Sequence, residues 1–154
     1  MTHPARQRAI IDAMDQELLT GKVIGRAMKV HGVLGPGYLE SVYLNALALE
    51  LNRAGLSIEC EKDIQVRYED TVVGDFRVDM LVEGFVIVEI KAVRALAPAH
   101  EAQLVNYLTA TGIDIGLLLN FGAPRLEFRR KSRLYRPRSE RYEEPLEERG
   151  QEDW

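Results

Sequence analysis

Apolar and polar positions recur along this chain with two different periods, and the changes of period mark its elements. From about Asp15 to Val33 the apolar residues Leu18, Leu19, Val23, Ala27 and Val30, with Leu34 just beyond, fall at three- and four-residue intervals. That spacing predicts an amphipathic helix, weakened by Gly21 and Gly25. Gly35-Pro36-Gly37 stops it, because proline cannot continue a helix and glycine tolerates the positive φ of a reversal. A second helix is predicted from about Leu39 to Ala54, with Val42, Leu44, Leu47, Ala48 and Leu51 on its apolar face and Gly55 as its stop.

The period then shortens. Leu56 to Cys60 and Ile64 to Tyr68 read as short strands, and Glu69-Asp70 as a turn. Val72 to Val82 alternates up to Glu83-Gly84, where a tight hairpin leads into Phe85 to Lys91. Pro98 opens a third helix, with Glu101 suited to its dipole, and the helix ends near Thr111-Gly112. Ile115 to Asn120 is an unbroken apolar run, the mark of a strand covered on both faces. Arg125 to Arg130 reads as a last edge strand. Hairpin-joined strands are antiparallel, and the crossover helix should return the chain parallel to the strand ending at Lys91. The predicted class is therefore α/β (α+β), a mixed central sheet flanked by helices. A single domain is expected over residues 15–135, with an arm at 1–14 and a charged, disordered tail at 136–154.

Composition narrows the possibilities. The chain has 154 residues, 46% hydrophobic and 29% charged, enough for one core. Its apolar runs are too short to span a bilayer, and Met1 to Ile10 carries arginines without a following apolar stretch, so no membrane is involved and the cytoplasm is expected. The one cysteine, Cys60, excludes an internal disulfide and a cysteine zinc cage; it reads as a small core residue. A net charge of −4 argues against indiscriminate binding of nucleic acid. Seven basic residues between Arg125 and Arg138 (Arg125, Arg129, Arg130, Lys131, Arg133, Arg136, Arg138) nevertheless face one acid, Glu127. Such a run either tracks a phosphate backbone or is solvated surface. From Ser139 onward seven acids meet two arginines.

The candidate chemistry lies at the strand ends. Asp79 is followed by Met80, Leu81 and Val82 near the end of one predicted strand, and Glu89-Ile90-Lys91, preceded by Val86, Ile87 and Val88, closes the next. Alternation puts Glu89 and Lys91 on one side and Ile90 on the other. Two acids and a lysine are the minimum for metal-assisted phosphodiester hydrolysis, and charges there are costly unless paired or holding a cation. The plain alternative is an ion pair between Lys91 and a carboxylate. Glu40 falls in the first turn of the second helix, where the dipole alone accounts for it, with Tyr43 one turn on. Gln103 and Tyr107 share a face of the third helix, and hydrogen bonds to the sheet backbone would explain them equally. His100, a turn before Gln103, fits packing or a backbone hydrogen bond better than a direct role. His31 suits the C-terminal dipole of the first helix, and His3 carries no argument.

Gly37-x-x-Glu40-x-x-Tyr43 resembles the signature of the GxxExxY proteins, placed in the PD-(D/E)XK nuclease superfamily. The likeness runs through His31 to Gly37, Tyr43 to Leu47, Phe76 to Asp79, Val88 to Val93, His100 to Gln103 and Gly116 to Gly122, about Leu19 to Lys131 in all. The arginine-rich end and acidic tail depart from it. The resemblance implies a restriction-endonuclease-like core, with Asp79, Glu89 and the Ile90 carbonyl as oxygen ligands of Mg²⁺ or Mn²⁺. It also implies an additional acid at Glu40 and a lysine, Lys91, that orients or deprotonates the attacking water. Gln103 and Tyr107 would position that lysine and the DNA end. No histidine or cysteine nucleophile is needed, because such a metal supplies the activated water. The implied activity is metal-dependent hydrolysis of DNA. The alternatives are a non-catalytic nucleic-acid-binding module using Arg129, Arg130 and Lys131, or a protein-interaction role as a homodimer or with another protein.

Overall fold

The predicted periods are realised in a computed structural model that describes the backbone of residues 4–133 and the side chains of residues 15–133. The expectations for residues 136–154, Arg136 and Arg138 among them, lie outside the described residues. The elements are α1 (Pro4–Leu34), α2 (Glu40–Arg53), β1 (Ile58–Tyr68), β2 (Thr71–Val82), β3 (Val86–Lys91), α3 (Pro98–Thr111), β4 (Ile115–Asn120) and β5 (Glu127–Ser132). Three elements differ from the sequence reading by more than a residue at a boundary. The α1 helix starts at Pro4 rather than Asp15, taking in most of the stretch read as an arm, whose alanines, arginines and glutamine are good helix formers. β1 is one strand, not two, because its ladder with β2 resumes in the same register at Lys62 and Asp63 after one missed pair at Glu61. β5 lies two residues further along than Arg125–Arg130.

The five strands form one mixed sheet in the order β1-β2-β3-β4-β5. The β3–β4 pair is parallel, as the α3 crossover requires, and the other neighbours are antiparallel. Residues Val86 to Ile90 are all buried, since helices cover both faces. Alternation sends Val86, Val88 and Ile90 against α1 and α2, and Ile87 against Leu104 and Leu108 of α3. Glu89 and Lys91 therefore belong to the α3 face.

One local break shapes everything that follows. Ile58 and its partner Val82 pack with the α1–α2 layer, while Ile64 and its partner Phe76 pack with α3. Positions six apart on a regular strand share a face, so the alternation reverses between them. The reversal centres on Glu61 and Asp79, which oppose each other yet drop out of a ladder regular on both sides, from Cys60↔Met80 to Lys62↔Val78. Glu61 takes a φ of +52, uncommon for a residue with a side chain. Past this point the β1–β2 hairpin swings across α3, and β2 keeps only Met80 to Val82 paired with β3. Cys60, expected in the core, is exposed on this edge strand; local desolvation and then the charges of Glu61 and Asp79 push its thiol up, away from nucleophilic use.

A second charged centre fastens α1 to α2. Glu50, 8% exposed, accepts from Lys29 Nζ at 3.2 Å and Arg26 at 3.3 Å, with Arg53 at 3.8 Å. The hydrogen bond from Lys29 is the main reason its carboxyl lies below the usual range, against the opposing pull of burial.

Candidate active site

Where β2 parts from β3, side chains replace the missing ladder. The backbone N–H of Asp79 donates to Glu89 Oε1 at 3.0 Å, and the N–H of Ile90 donates to Asp79 Oδ2 at 2.7 Å. Each carboxylate thus has one oxygen anchored by the other strand's backbone. The N–H and C=O of a strand residue point to the same edge, so the Ile90 carbonyl faces this gap as well. Glu89 is 5% exposed, and its carboxyl is pushed up to about 8, by burial first and then by the charge of Asp79; Lys91 works in the other direction. Two acids meet in a poorly hydrated gap, an arrangement that calls for a cation.

Lys91 sits one alternation further along β3. Among the described residues it makes no ion pair, so the plain reading of a salt bridge with a carboxylate does not hold; its Nζ lies 3.5 Å from Gln103 Oε1, at the outer limit of a hydrogen bond. Tyr107, one turn on from Gln103, stacks on Phe76 at 4.3 Å and 18°. Burial raises its pKa, and Glu89 and Asp79 raise it further, which places the phenol in the field of the acid pair. Gln103 and Tyr107 thus look toward Lys91 and the acids, not toward the sheet backbone.

Glu40 is not assembled with them. It is exposed in the first turn of α2, as the dipole reading has it. Among the described residues no group of three or more His, Cys, Asp or Glu side chains is placed to hold a metal ion. Its motif partners serve the backbone: Gly37 has φ +114, and the buried Tyr43 hydroxyl donates to Gly35 O at 2.6 Å and accepts from the Tyr38 N–H at 3.1 Å. Tyr43 also stacks on Phe121 at 4.7 Å, and the Phe121 N–H bonds the Lys91 carbonyl at 2.8 Å. The α1–α2 turn is thereby tied to the end of β3.

Two positioning residues escaped the sequence reading. Asn120, fully buried, accepts from Val93 N–H and Gly122 N–H and donates to Val93 O and Glu127 Oε1, all within 3.1 Å. It locks the segment leaving Lys91. A Cβ on Gly122 would lie 2.4 Å from the Val93 backbone, so only glycine fits there. The signal was a single amide closing an otherwise apolar run. The histidines do backbone work: His100 Nδ1 accepts from Ala97 N–H at 3.0 Å, and His31 Nε2 is 2.9 Å from Ala123 O.

The basic run is no continuous stripe. Alternation along β5 divides it, with Arg129 and Lys131 facing Glu101 of α3 at 3.9 and 2.8 Å, and Arg130 facing Glu17 of α1 at 3.9 Å. Arg133 pairs with Asp114 at 2.8 Å. These four cations each have an acidic neighbour within the fold, and Arg136 and Arg138 lie outside the described residues.

No helix among the described residues is long and apolar enough to cross a membrane. No curated protein matches the chain at a significant level. A solved structure described as "Crystal structure of SSO0001" is similar at 20% sequence identity and a TM-score of 0.48, over 60% of this chain and 48% of that one, too loose a likeness to carry an inference. The chain spans about half the length of that protein. The family model of the PD-(D/E)XK nuclease superfamily matches residues 17–131, and because that span takes in the acid pair, Lys91 and the α3 helix set against them, the chain belongs to the PD-(D/E)XK nuclease superfamily.

Proposed function

We propose that the protein is a GxxExxY-type, metal-dependent nuclease that hydrolyses phosphodiester bonds of DNA with water as the nucleophile. The observation that carries this reading is the convergence of Asp79 and Glu89 on one gap, with Lys91 on the same face and unpaired with either. The donors suit a hard divalent ion. Two carboxylates, each with one oxygen already fixed by a backbone N–H, and the Ile90 carbonyl make an oxygen-only set of the size that Mg²⁺ or Mn²⁺ shares with substrate phosphate and water. Bound there, the ion would polarise the phosphate and make water a better nucleophile.

The rest falls to the chain's own groups. Lys91 Nζ orients the attacking water and offsets charge growing on the phosphate oxygens, and Gln103 Oε1 holds that ammonium in place. Tyr107 closes the α3 side of the gap against Phe76, limiting water around Glu89. Glu40 contributes no ligand in this arrangement. A chain whose one cysteine is free and exposed suits the cytoplasm.

The test is incubation of the protein with linear, nicked and single-stranded DNA in Mg²⁺ or Mn²⁺. Cleavage that disappears on chelation and in Asp79→Ala and Lys91→Ala supports the mechanism; cleavage that survives both substitutions removes these residues from it. The detachment of Glu40 favours one rival, a binding module whose catalysis has lapsed. That rival requires nucleic-acid binding without turnover in either metal.

A further inference from the structure

One face of α3 is left over once Lys91 has been served. Ala99, Ala102, Asn106, Thr109 and Ala110 lie exposed on successive turns, over about 16 Å of helix. Opposite them the β1–β2 hairpin, swung over α3 by the reversal at Asp79, supplies Gln65, Val66, Arg67 and Phe76. The groove between has a volume of about 990 Å³ and is also walled by Tyr107 and by Gln103, whose Oε1 lies 3.5 Å from Lys91 Nζ.

Its lining carries no negative charge. The chain carries 24 acids, yet none of the eleven residues lining the groove is acidic and one is an arginine. Such a wall admits a polyanion without repulsion. A duplex is gripped chiefly through phosphates by many lysines and arginines, which this groove lacks. What it offers instead are three carboxamides, a stacked aromatic pair and small alanines. Amides meet base edges as donor or acceptor, rings offer faces and edges to bases, and alanines leave room for flat groups.

We propose that this groove takes an unpaired strand of nucleic acid, laid between the β1–β2 hairpin and α3, and leads its backbone to Lys91. The direction of travel rests on the nuclease reading; the binding itself does not. Single-stranded substrates and frayed ends are then preferred to blunt duplex.

Fluorescence anisotropy tests this in EDTA, with a labelled oligothymidylate and a labelled blunt hairpin duplex as probes. Ala102→Glu and Ala102→Lys place opposite charges on the groove floor at an exposed helical position that tolerates both. Asn45→Glu, exposed on α2 across the sheet, controls for net charge. Wild type should bind the single strand more tightly than the duplex. Ala102→Glu should weaken strand binding about fivefold, Ala102→Lys should strengthen it by a similar factor, and Asn45→Glu should leave it unchanged. Equal affinities for wild type and Ala102→Glu, preference for the duplex, or no strand binding overturns the groove. Cleavage in Mn²⁺, read separately on the same proteins, keeps the two ideas apart. Cleavage without groove dependence spares the nuclease and ends the groove, whereas groove-dependent binding with no cleavage does the reverse.

Discussion

Glu50 and Glu89 are equally hidden, 8% and 5% exposed, and electrostatically opposite. Glu50 lies among Lys29, Arg26 and Arg53, and the first two hold its carboxyl below the usual range. Glu89 faces Asp79 and is driven up to about 8. Burial pulls both upward and is the first cause at Glu89, where Asp79 adds to it; at Glu50 the cations overcome it. An acid that only fastens two helices has its counter-charge built in. An acid set against another acid is left short of one, with the nearby lysine 3.5 Å from an amide oxygen and paired with neither carboxylate.

The most forceful way to break this contrast is kinetic. Lys91→Ala and Asp79→Ala should each cost about 10³-fold or more in kcat/KM on DNA, the scale seen when a charge-stabilising group is lost. Glu50→Gln, assayed well below its melting temperature, should stay within about twofold of wild type. A comparable loss in Glu50→Gln would show that both glutamates serve the chemistry.

Metal addition comes next. With Mn²⁺ about a hundredfold above its Kd, the protein should melt some 5–10 °C higher than in EDTA, from the stabilisation that saturating ligand gives a domain of this size. Glu89→Gln should remove most of that shift and Glu50→Gln none of it. A shift that persists in Glu89→Gln places the ion elsewhere.

Stability in chelator sharpens the comparison at a smaller scale. Glu89→Gln should raise the melting temperature in EDTA at neutral pH, by relieving two acids forced together, and Glu50→Gln should lower it. The acid limb distinguishes them further. The folded pKa of Glu50 lies below its ordinary value of 4.5, so its contribution is complete above that value and is lost as pH falls through the folded pKa. Glu50→Gln should therefore flatten the acid side of the melting-temperature profile. An unchanged profile would mean that Lys29 and Arg26 do not stabilise the carboxylate.

The smallest effect is expected at Glu40. As a first-turn acid apart from the pair, Glu40→Gln should change kcat/KM by no more than about threefold, under 1 kcal/mol of barrier. A loss approaching that of Asp79→Ala would bring α2 into the reaction.

Much of this was legible along the chain because it is local. Period and punctuation gave α3 as Pro98–Thr111 and β4 as Ile115–Asn120, and the α3 crossover gave the parallel β3–β4 pair. Alternation put Glu89 and Lys91 on one face, and helical spacing put Gln103 and Tyr107 on another. Cys60 was misplaced because the strand reversal beside it has no local signature beyond a run of charges. The basic run from Arg125 looked like one stripe because a linear reading does not see Glu17, Glu101 and Asp114 folding back on it.

The order and type of elements, and the residue types able to hold a hard cation beside a lysine, were thus set by the sequence itself, since backbone geometry repeats every two or 3.6 residues whatever lies across from it. Tertiary structure alone decided which buried glutamate would be satisfied, where β2 leaves β3 to open the gap, and that Glu40 stands apart. Those outcomes depend on the field and the space made by residues distant in sequence, and Coulomb energy and close packing follow separation through space rather than along the chain.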